Sequence, residues 1–277
     1  MEDDSQDSRQ PESVAAVLKV FAILQALAAR DETGISDLSV RLAMPKATVY
    51  RFLQTMRTLG YVRQEADSER YGLTMKVFEL GTKALQYPDL VDLAKLHMQT
   101  LSDATGETIH LGMLIDSEIM YVHKVDSRHM LGMYSRVGRR APIHCTAIGK
   151  VLLAWDTAQR RDTVLAGAEF RKFRDKTITR MDDFLAELER TRAQGFGEDR
   201  EEFDDHIRCI GVPIFDRMNM PVAGLSVSFP TFRYEEARAP QVVEMLQDAS
   251  RSISKQLGCT RFPLDEVKVA AGQALGS

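Results

Sequence analysis

A change of hydrophobic period near residue 107 predicts an α+β protein in two parts. Before it, apolar residues recur at helical spacing around one short hairpin. After it come period-two runs, then helices, two more period-two runs and a long amphipathic helix. That order predicts an N-terminal unit of helices and a hairpin, followed by an antiparallel sheet flanked by helices. With 277 residues there is room for two domains, and 44% hydrophobic residues suffice for two cores. No apolar run approaches the roughly 18 residues that span a bilayer, and the acidic, polar start at 1–12 is unlike a signal peptide. Three cysteines, an odd number in no metal-type spacing, point to a reducing cytoplasm.

The first helix is predicted from Val14, Val17, Leu18, Phe21, Leu24 and Ala28, with Ser13 as its N-cap. Asp31–Gly34 breaks it. A short helix follows over 36–42, with Ile35, Leu38 and Leu42 inward. Ala43-Met44 makes a tight connection, and Pro45 suits the first turn of a third helix over 45–59. Val49, Phe52, Leu53, Met56 and Leu59 form its apolar stripe. The opposite face carries Ala47, Tyr50, Arg51, Gln54, Thr55 and Thr58, with Lys46 and Thr48 at its edge. Gly60 ends the helix, and 61–65 with 69–73 read as a hairpin around Asp67-Ser68.

Two helices joined tightly, then a hairpin, make a winged helix-turn-helix, expected over 13–73. The net charge of −4 first argues against nucleic acid, but its distribution does not. Residues 1–12 hold five acids and one Arg, while 41–63 hold Arg41, Lys46, Arg51, Arg57, Arg63 and no acid. The third helix is therefore expected in a major groove of duplex DNA. Arg51 and Gln54 suit base edges, since each bonds two atoms of one base. Lys46, Thr48 and Arg57 suit phosphates, Tyr50 a sugar or a thymine methyl, and Arg70 reaches out from the wing.

Residues 74–90 read as a helical linker without a Pro- or Gly-rich spacer, offering Val77, Leu80 and Leu85 as a dimer seam. A second large domain is expected over 91–260. It opens with a helix over 89–103. Strands are predicted over 107–115, 118–125 and 131–137, then a loop over 138–145 and a helix over 146–155. Residues 156–193 are mostly helical, 209–215 and 221–229 are strands, and a helix over 235–257 closes the domain. Residues 1–12 are expected to be a disordered tail and 261–277 a second tail.

The run Leu42-Ala43-Met44-Pro45-Lys46-Ala47-Thr48-Val49-Tyr50-Arg51-Phe52-Leu53 resembles the helix-turn-helix of the isocitrate lyase regulator (IclR) family. The likeness continues in order through Thr146–Ala154, Gly195–Asp199 with Glu201-Glu202, Arg208-Cys209-Ile210 and Ala223–Ser228, covering roughly 13–258. The stretches SVxxVLKVFxILQAL, TVYRFLQTM, MYSRxGRR and TAIGKVLLAW resemble the branch of the family that represses pectin-degradation genes and responds to 2-keto-3-deoxygluconate. The resemblance implies a GAF-like effector domain, a dimer or a dimer of dimers, a palindromic operator and no cofactor beyond a small carboxylate or sugar-acid effector. It implies effector contacts at Met133, Ala147, Ile148, Asp199, Cys209, Ser226 and Ser228.

The chemistry of those positions is coherent. Residues 146–148 open a helix whose free N–H groups and dipole favour an anion. Asp199 is expected to accept bonds from ligand hydroxyls. Ser226 and Ser228, two apart on a strand, share a face. Arg136, Arg139 and Arg140 would add positive potential at the mouth. Taken alone, Asp199 sits in an acidic run that reads as a solvated loop, and Cys209 as plain core.

Three other readings stand beside this one. A cysteine-nucleophile enzyme would use Cys145 or Cys209 with His144 or His206, but neighbours on a strand point apart. A metal-responsive regulator would draw on His110, His123, His144, Cys145, His206 and Cys209, whose spacing is irregular. An architectural DNA-binding protein would not need the second domain. Activation in place of repression also remains open.

Overall fold

The computed structural model describes residues 14–30, 32–82, 90–129 and 135–267. The acidic tail, Ser13, Leu85, Met133 and residues 268–277 lie outside the described residues. The chain divides between Pro88 and Asp89 into two units, within the segment expected as a linker.

In the first unit, α1 (Ala15–Ala28), α2 (Ile35–Arg41) and α3 (Lys46–Thr58) precede a two-stranded antiparallel wing, β1 (Val62–Gln64) and β2 (Tyr71–Leu73), and then α4 (Met75–Thr82). The turn between α2 and α3 places Ala43 in the left-handed region (φ 49°), and the Ser39 hydroxyl donates to the Met44 carbonyl at 2.6 Å. Ile23, Leu27, Leu38, Val49, Leu53, Met56, Val62 and Tyr71 form the core. Thr33 pairs with Tyr71 through two backbone bonds of 3.0 Å, tying the loop after α1 to the wing.

Two expectations need correction here. Of the stripe predicted for α1, Val14, Val17, Leu18 and Phe21 are 50–64% exposed, and Ala28 is exposed too. The helix has apolar residues on more than one face, so a row through Val20, Ile23 and Leu27, sharing Leu24 with the predicted stripe, competes for the core and wins. Leu59, expected at the end of the α3 stripe, is 53% exposed because it is the C-cap of the helix.

The second unit runs α5 (Leu90–Thr105), β3 (Thr108–Ile115), β4 (Glu118–Val125), β5 (Arg140–Pro142), α6 (Ala147–Trp155), α7 (Ala158–Ala166), α8 (Met181–Gln194), β6 (Gly197–Arg200), β7 (Ile207–Phe215), β8 (Pro221–Pro230) and α9 (Ala239–Gln256). Its antiparallel sheet has the order β5-β4-β3-β8-β7-β6, so the central pair joins the two ends of the unit. One face carries Ile109, Leu111, Ile210, Val212, Leu225 and Val227, all buried, under α5 and α9. On the other face lies α6, packed on β7, β8 and α8.

Glycines let α6 sit flat. A Cβ at Gly224 would lie 2.7 Å from Ile148 Cγ2, and one at Gly149 only 2.2 Å from the Ile143 carbonyl oxygen. This is a close approach that only glycine allows.

The third strand expected over 131–137 falls mostly outside the described residues. Residues 135–137 are not a strand, and 130–134 lie outside the described residues. The edge of β4 is paired by β5, a strand inside the expected loop, with Glu118↔Pro142, Ile119↔Ala141 and Met120↔Arg140 in register. A turn at Gly138 (φ +83°) aims that segment back along β4. The acidic run holding Asp199 forms β6, an edge strand with Glu198 and Asp199 buried. The chain past Arg261, expected to be a tail, packs instead: Phe262 and Leu264 are buried, and the Phe262 ring lies 5.7 Å from that of Phe215.

Candidate functional site

In the first unit α3 carries a polar face that the core stripe turns outward. Lys46, Ala47, Tyr50, Arg51, Thr55 and Arg57 are exposed, Thr48 is half-buried at its edge, and Arg70 is exposed in the wing loop. Not all of these side chains are equally free. The Gln54 amide donates to the Tyr71 hydroxyl at 3.2 Å and is half-buried, and the Arg57 guanidinium donates to Gln64 Oε1 on β1 at 2.8 Å. Gln54, expected to read a base edge, is thus engaged with the wing, because its position on α3 lies between the exposed face and the core stripe. Arg51 has the longer reach of the two.

In the second unit the strand register assembles a polar row. Asp199 on β6 stands opposite Cys209 on β7, Cys209 opposite Ser228 on β8, and Ser228 opposite Thr108 on β3. One step along, Gly211, Ser226 and His110 form a parallel row on the same face. The N-terminus of α6 comes down on these rows. Tyr121, Thr146, Ala147, Ile148, Asp199, Phe203, Cys209, Ser226 and Ser228 enclose a cavity of about 10 Å³. Six of the seven positions expected to contact an effector therefore meet at one place. The seventh, Met133, lies outside the described residues.

Thr146 caps α6 by accepting the Gly149 N–H at 3.2 Å. Its hydroxyl donates to the Pro142 carbonyl at 2.9 Å. The start of the helix is thus fixed where its dipole favours an anion. Asp199 is 3% exposed, and its Oδ1 accepts the Glu202 N–H at 2.8 Å. Burial pushes its carboxyl up to about 7, against the opposing pull of that bond. This alters the role read from the sequence: near neutral pH a large share of Asp199 is protonated and can donate as well as accept. Cys209 Sγ lies 3.2 Å from Ser228 Oγ, and burial pushes its thiol well above the usual range.

Of the arginines expected at the mouth, Arg140 pairs with Asp116 at 3.3 Å and Glu118 at 3.2 Å. Arg139 stands 5.7 Å over the ring of Phe203, a cavity wall. Arg136 is exposed.

Two groups beside the cavity escaped the sequence reading. Lys150, fully buried one turn into α6, donates to Glu202 Oε1 at 2.6 Å, Glu187 Oε1 at 3.2 Å and the Glu198 carbonyl at 2.7 Å. It clamps α6, a cavity wall, to the segment that carries Asp199. A lone lysine inside the apolar run TAIGKVLLAW was the available signal, since a buried ammonium must find carboxylates. His110, named from the sequence only as a ligand in the metal-responsive reading, is 1% exposed and bonded at both ring nitrogens, Nε2 to Ser135 Oγ at 2.6 Å and Nδ1 to Ser228 Oγ at 3.3 Å.

The competing chemistries find less support in the geometry. All three cysteines are free and buried, and burial raises the thiols of Cys145 and Cys209, opposite to what a nucleophile needs. Among the described residues no group of three or more His, Cys, Asp or Glu side chains is placed to hold a metal ion, and no helix is long and apolar enough to cross a membrane.

Family models match both units: the IclR helix-turn-helix domain over residues 16–66, and the C-terminal domain of bacterial IclR transcriptional regulators over 82–255. The chain belongs to the IclR family. It is a DNA-binding transcriptional regulator, with the helix-turn-helix supplied by α2 and α3. Among IclR relatives, the chain is 53% identical over 255 residues to the HTH-type transcriptional regulator KdgR of Escherichia coli K12, covering 92% of this chain and 97% of that protein. The crystal structure of Thermotoga maritima IclR superposes with a TM-score of 0.74 at 30% identity, covering 87% of this chain and 98% of that one. The C-terminal domain of E. coli KdgR superposes with a TM-score of 0.57 at 46% identity, covering 61% of this chain and 99% of that domain.

Proposed function

We propose that this IclR-family regulator is a cytoplasmic repressor of sugar-acid catabolism genes. It would bind a palindromic operator as a dimer or a dimer of dimers and be released by a 2-keto sugar acid of the 2-keto-3-deoxygluconate type. The observation that carries the reading is the polar cavity where the α6 N-terminus meets Asp199, Cys209, Ser226 and Ser228. A helix start suits the carboxylate, and two hydroxyls with a partly protonated carboxyl suit the keto and hydroxyl groups. The 53% identity to KdgR supports the same effector class.

The cavity as it stands holds on the order of one water, so a sugar acid enters only when its walls part. That requirement gives the effector different affinities for a closed and an open domain, the condition for any switch. Lys46, Ala47, Thr48, Tyr50, Arg51, Thr55, Arg57 and Arg70 form the proposed DNA surface, with Gln54 held at its edge by Tyr71. A second copy is the proposed cover for the apolar faces left exposed on α1 (Val17, Leu18, Phe21) and α4 (Met75, Phe78, Leu80).

An electrophoretic mobility shift on the operator, with and without 2-keto-3-deoxygluconate, tests the reading. Release by that acid and not by a sugar lacking the carboxylate is expected. Retention of the complex at every concentration would defeat it. Phe21→Glu with Phe78→Glu is expected to give monomers in sedimentation velocity.

A further inference from the structure

The proposed effector site rests on hydroxyls, and a hydroxyl is undecided chemistry: Ser228 Oγ can face a ligand as donor or as acceptor. What decides is the set of neighbours that already engage it. Two are in place. Cys209 Sγ lies at 3.2 Å and His110 Nδ1 at 3.3 Å, all three groups being buried.

One direction of the chain satisfies every group in it. Cys209 is a thiol, with burial holding its proton on, and of its two acceptors Ser228 Oγ at 3.2 Å is nearer than Asp199 Oδ2 at 3.9 Å. Once Cys209 donates to Ser228, the Ser228 proton needs its own acceptor, and His110 Nδ1 is the acceptor within reach. His110 is neutral, driven down to about 3 by burial with the Lys124 charge acting in the same sense, so it carries a single ring proton. That proton then resides on Nε2, where Ser135 Oγ at 2.6 Å accepts it. The Ser135 end is itself anchored, its carbonyl accepting Lys124 Nζ at 2.9 Å. The Tyr121 ring, 4.7 Å from the imidazole, holds the ring plane.

We propose that His110 is a specificity-determining positioning residue of the effector site. By accepting the Ser228 proton it leaves Ser228 facing the cavity as a hydrogen-bond acceptor, so the site selects a ligand hydroxyl there over a ligand carbonyl or carboxylate oxygen. A ligand oxygen without a proton would meet the lone pair of Ser228 and gain nothing. The proposal rests on the effector reading for its ligand, but the hydrogen-bond direction itself belongs to the ligand-free protein.

The test has two arms on the full chain. Nitrogen NMR of histidine-labelled protein locates the ring proton of His110: Nε2–H is expected, and Nδ1–H overturns the proposal. Calorimetric titration then compares 2-keto-3-deoxygluconate with 2-oxohexanoate, a 2-keto acid of similar length without hydroxyls. In His110→Phe the preference for the hydroxylated acid is expected to fall about three- to tenfold, the worth of one neutral hydrogen bond. His110→Asn, whose side-chain oxygen offers an acceptor near the place of Nδ1, is expected to restore most of it. Equal loss for both acids, or an unchanged preference in His110→Phe, would reduce His110 to packing and overturn the inference while the effector reading stands. If the parent protein binds neither acid, both fall together.

Discussion

The outer face of α3 and the cavity beneath α6 are both polar, yet opposite physics makes them so. On α3, Lys46 and Arg51 stand exposed in high dielectric, where a charge contact is worth about 1 kcal/mol and salt screens it. Around the cavity, Asp199, Ser226, Ser228 and His110 are at most 4% exposed, and each group left unpaired would cost about 1–3 kcal/mol. The first surface is suited to sampling many phosphates. In the second, Ser228 is already engaged by Cys209 and His110. A regulator needs both: a reader that slides along DNA and a sensor that answers to one chemistry.

The largest way to break that contrast is to leave a buried charge alone. Lys150→Ala strands Glu202, while Glu187 keeps Arg190 at 2.5 Å, and urea unfolding is expected to show a loss of about 3–5 kcal/mol in the second unit. Lys46→Ala on α3 should stay within about 0.5 kcal/mol of the parent.

Acidity sharpens the comparison next, because the cavity, unlike the described residues of the α3 face, holds carboxyl and imidazole groups displaced this far. Asp199 binds a proton more tightly folded than unfolded, its pKa raised from 3.8 to about 7, so its contribution is full below 3.8 and is lost as pH rises to 7. His110, lowered from 6.5 to about 3, acts in the opposite sense, contributing above 6.5 and losing that contribution as pH falls to 3. Between about pH 4 and 6.5 the two slopes offset. Relative to the parent, Asp199→Asn should make stability rise with pH and His110→Gln should make it fall, each by about 1.4 kcal/mol per pH unit. Parallel stability curves for parent and both variants would contradict the assignment.

On the DNA side, Arg51→Ala is expected to lose about 1–3 kcal/mol of discrimination between operator and base-substituted operators. Gln54→Ala should lose less, since its amide already serves Tyr71. Competition binding measures both. Ser226→Ala with Ser228→Ala should leave operator affinity within about twofold and weaken release by the sugar acid about tenfold or more. The smallest change expected is for Lys46→Ala, a fall of about 1 in the slope of log affinity against log salt.

The elements themselves were largely legible. The α3 stripe, the wing, the β3–β4 hairpin and the β7–β8 pair follow from period and turn residues, and the structure places them within a few residues of the expected bounds. Misplacements share a cause. The α1 stripe was ambiguous because both faces are apolar, and β5 was read as loop because three residues carry no period. Asp199 looked solvated because acidic runs normally are, and its edge strand is buried by pairing with β7 and by the packing of α6, which carries Lys150.

By itself, then, the order of residues determined the two-part architecture, the basic polar face of α3 and the family, since local period, capping and charge sign are properties of neighbours along the chain. Tertiary structure decided which apolar face of α1 went inward, that Gln54 and Arg57 turn to the wing, and that Lys150 and His110 stand guard over Asp199 and Ser228. Those outcomes depend on groups distant in sequence meeting where water is excluded. There, the direction of one proton carries consequences that no local pattern encodes.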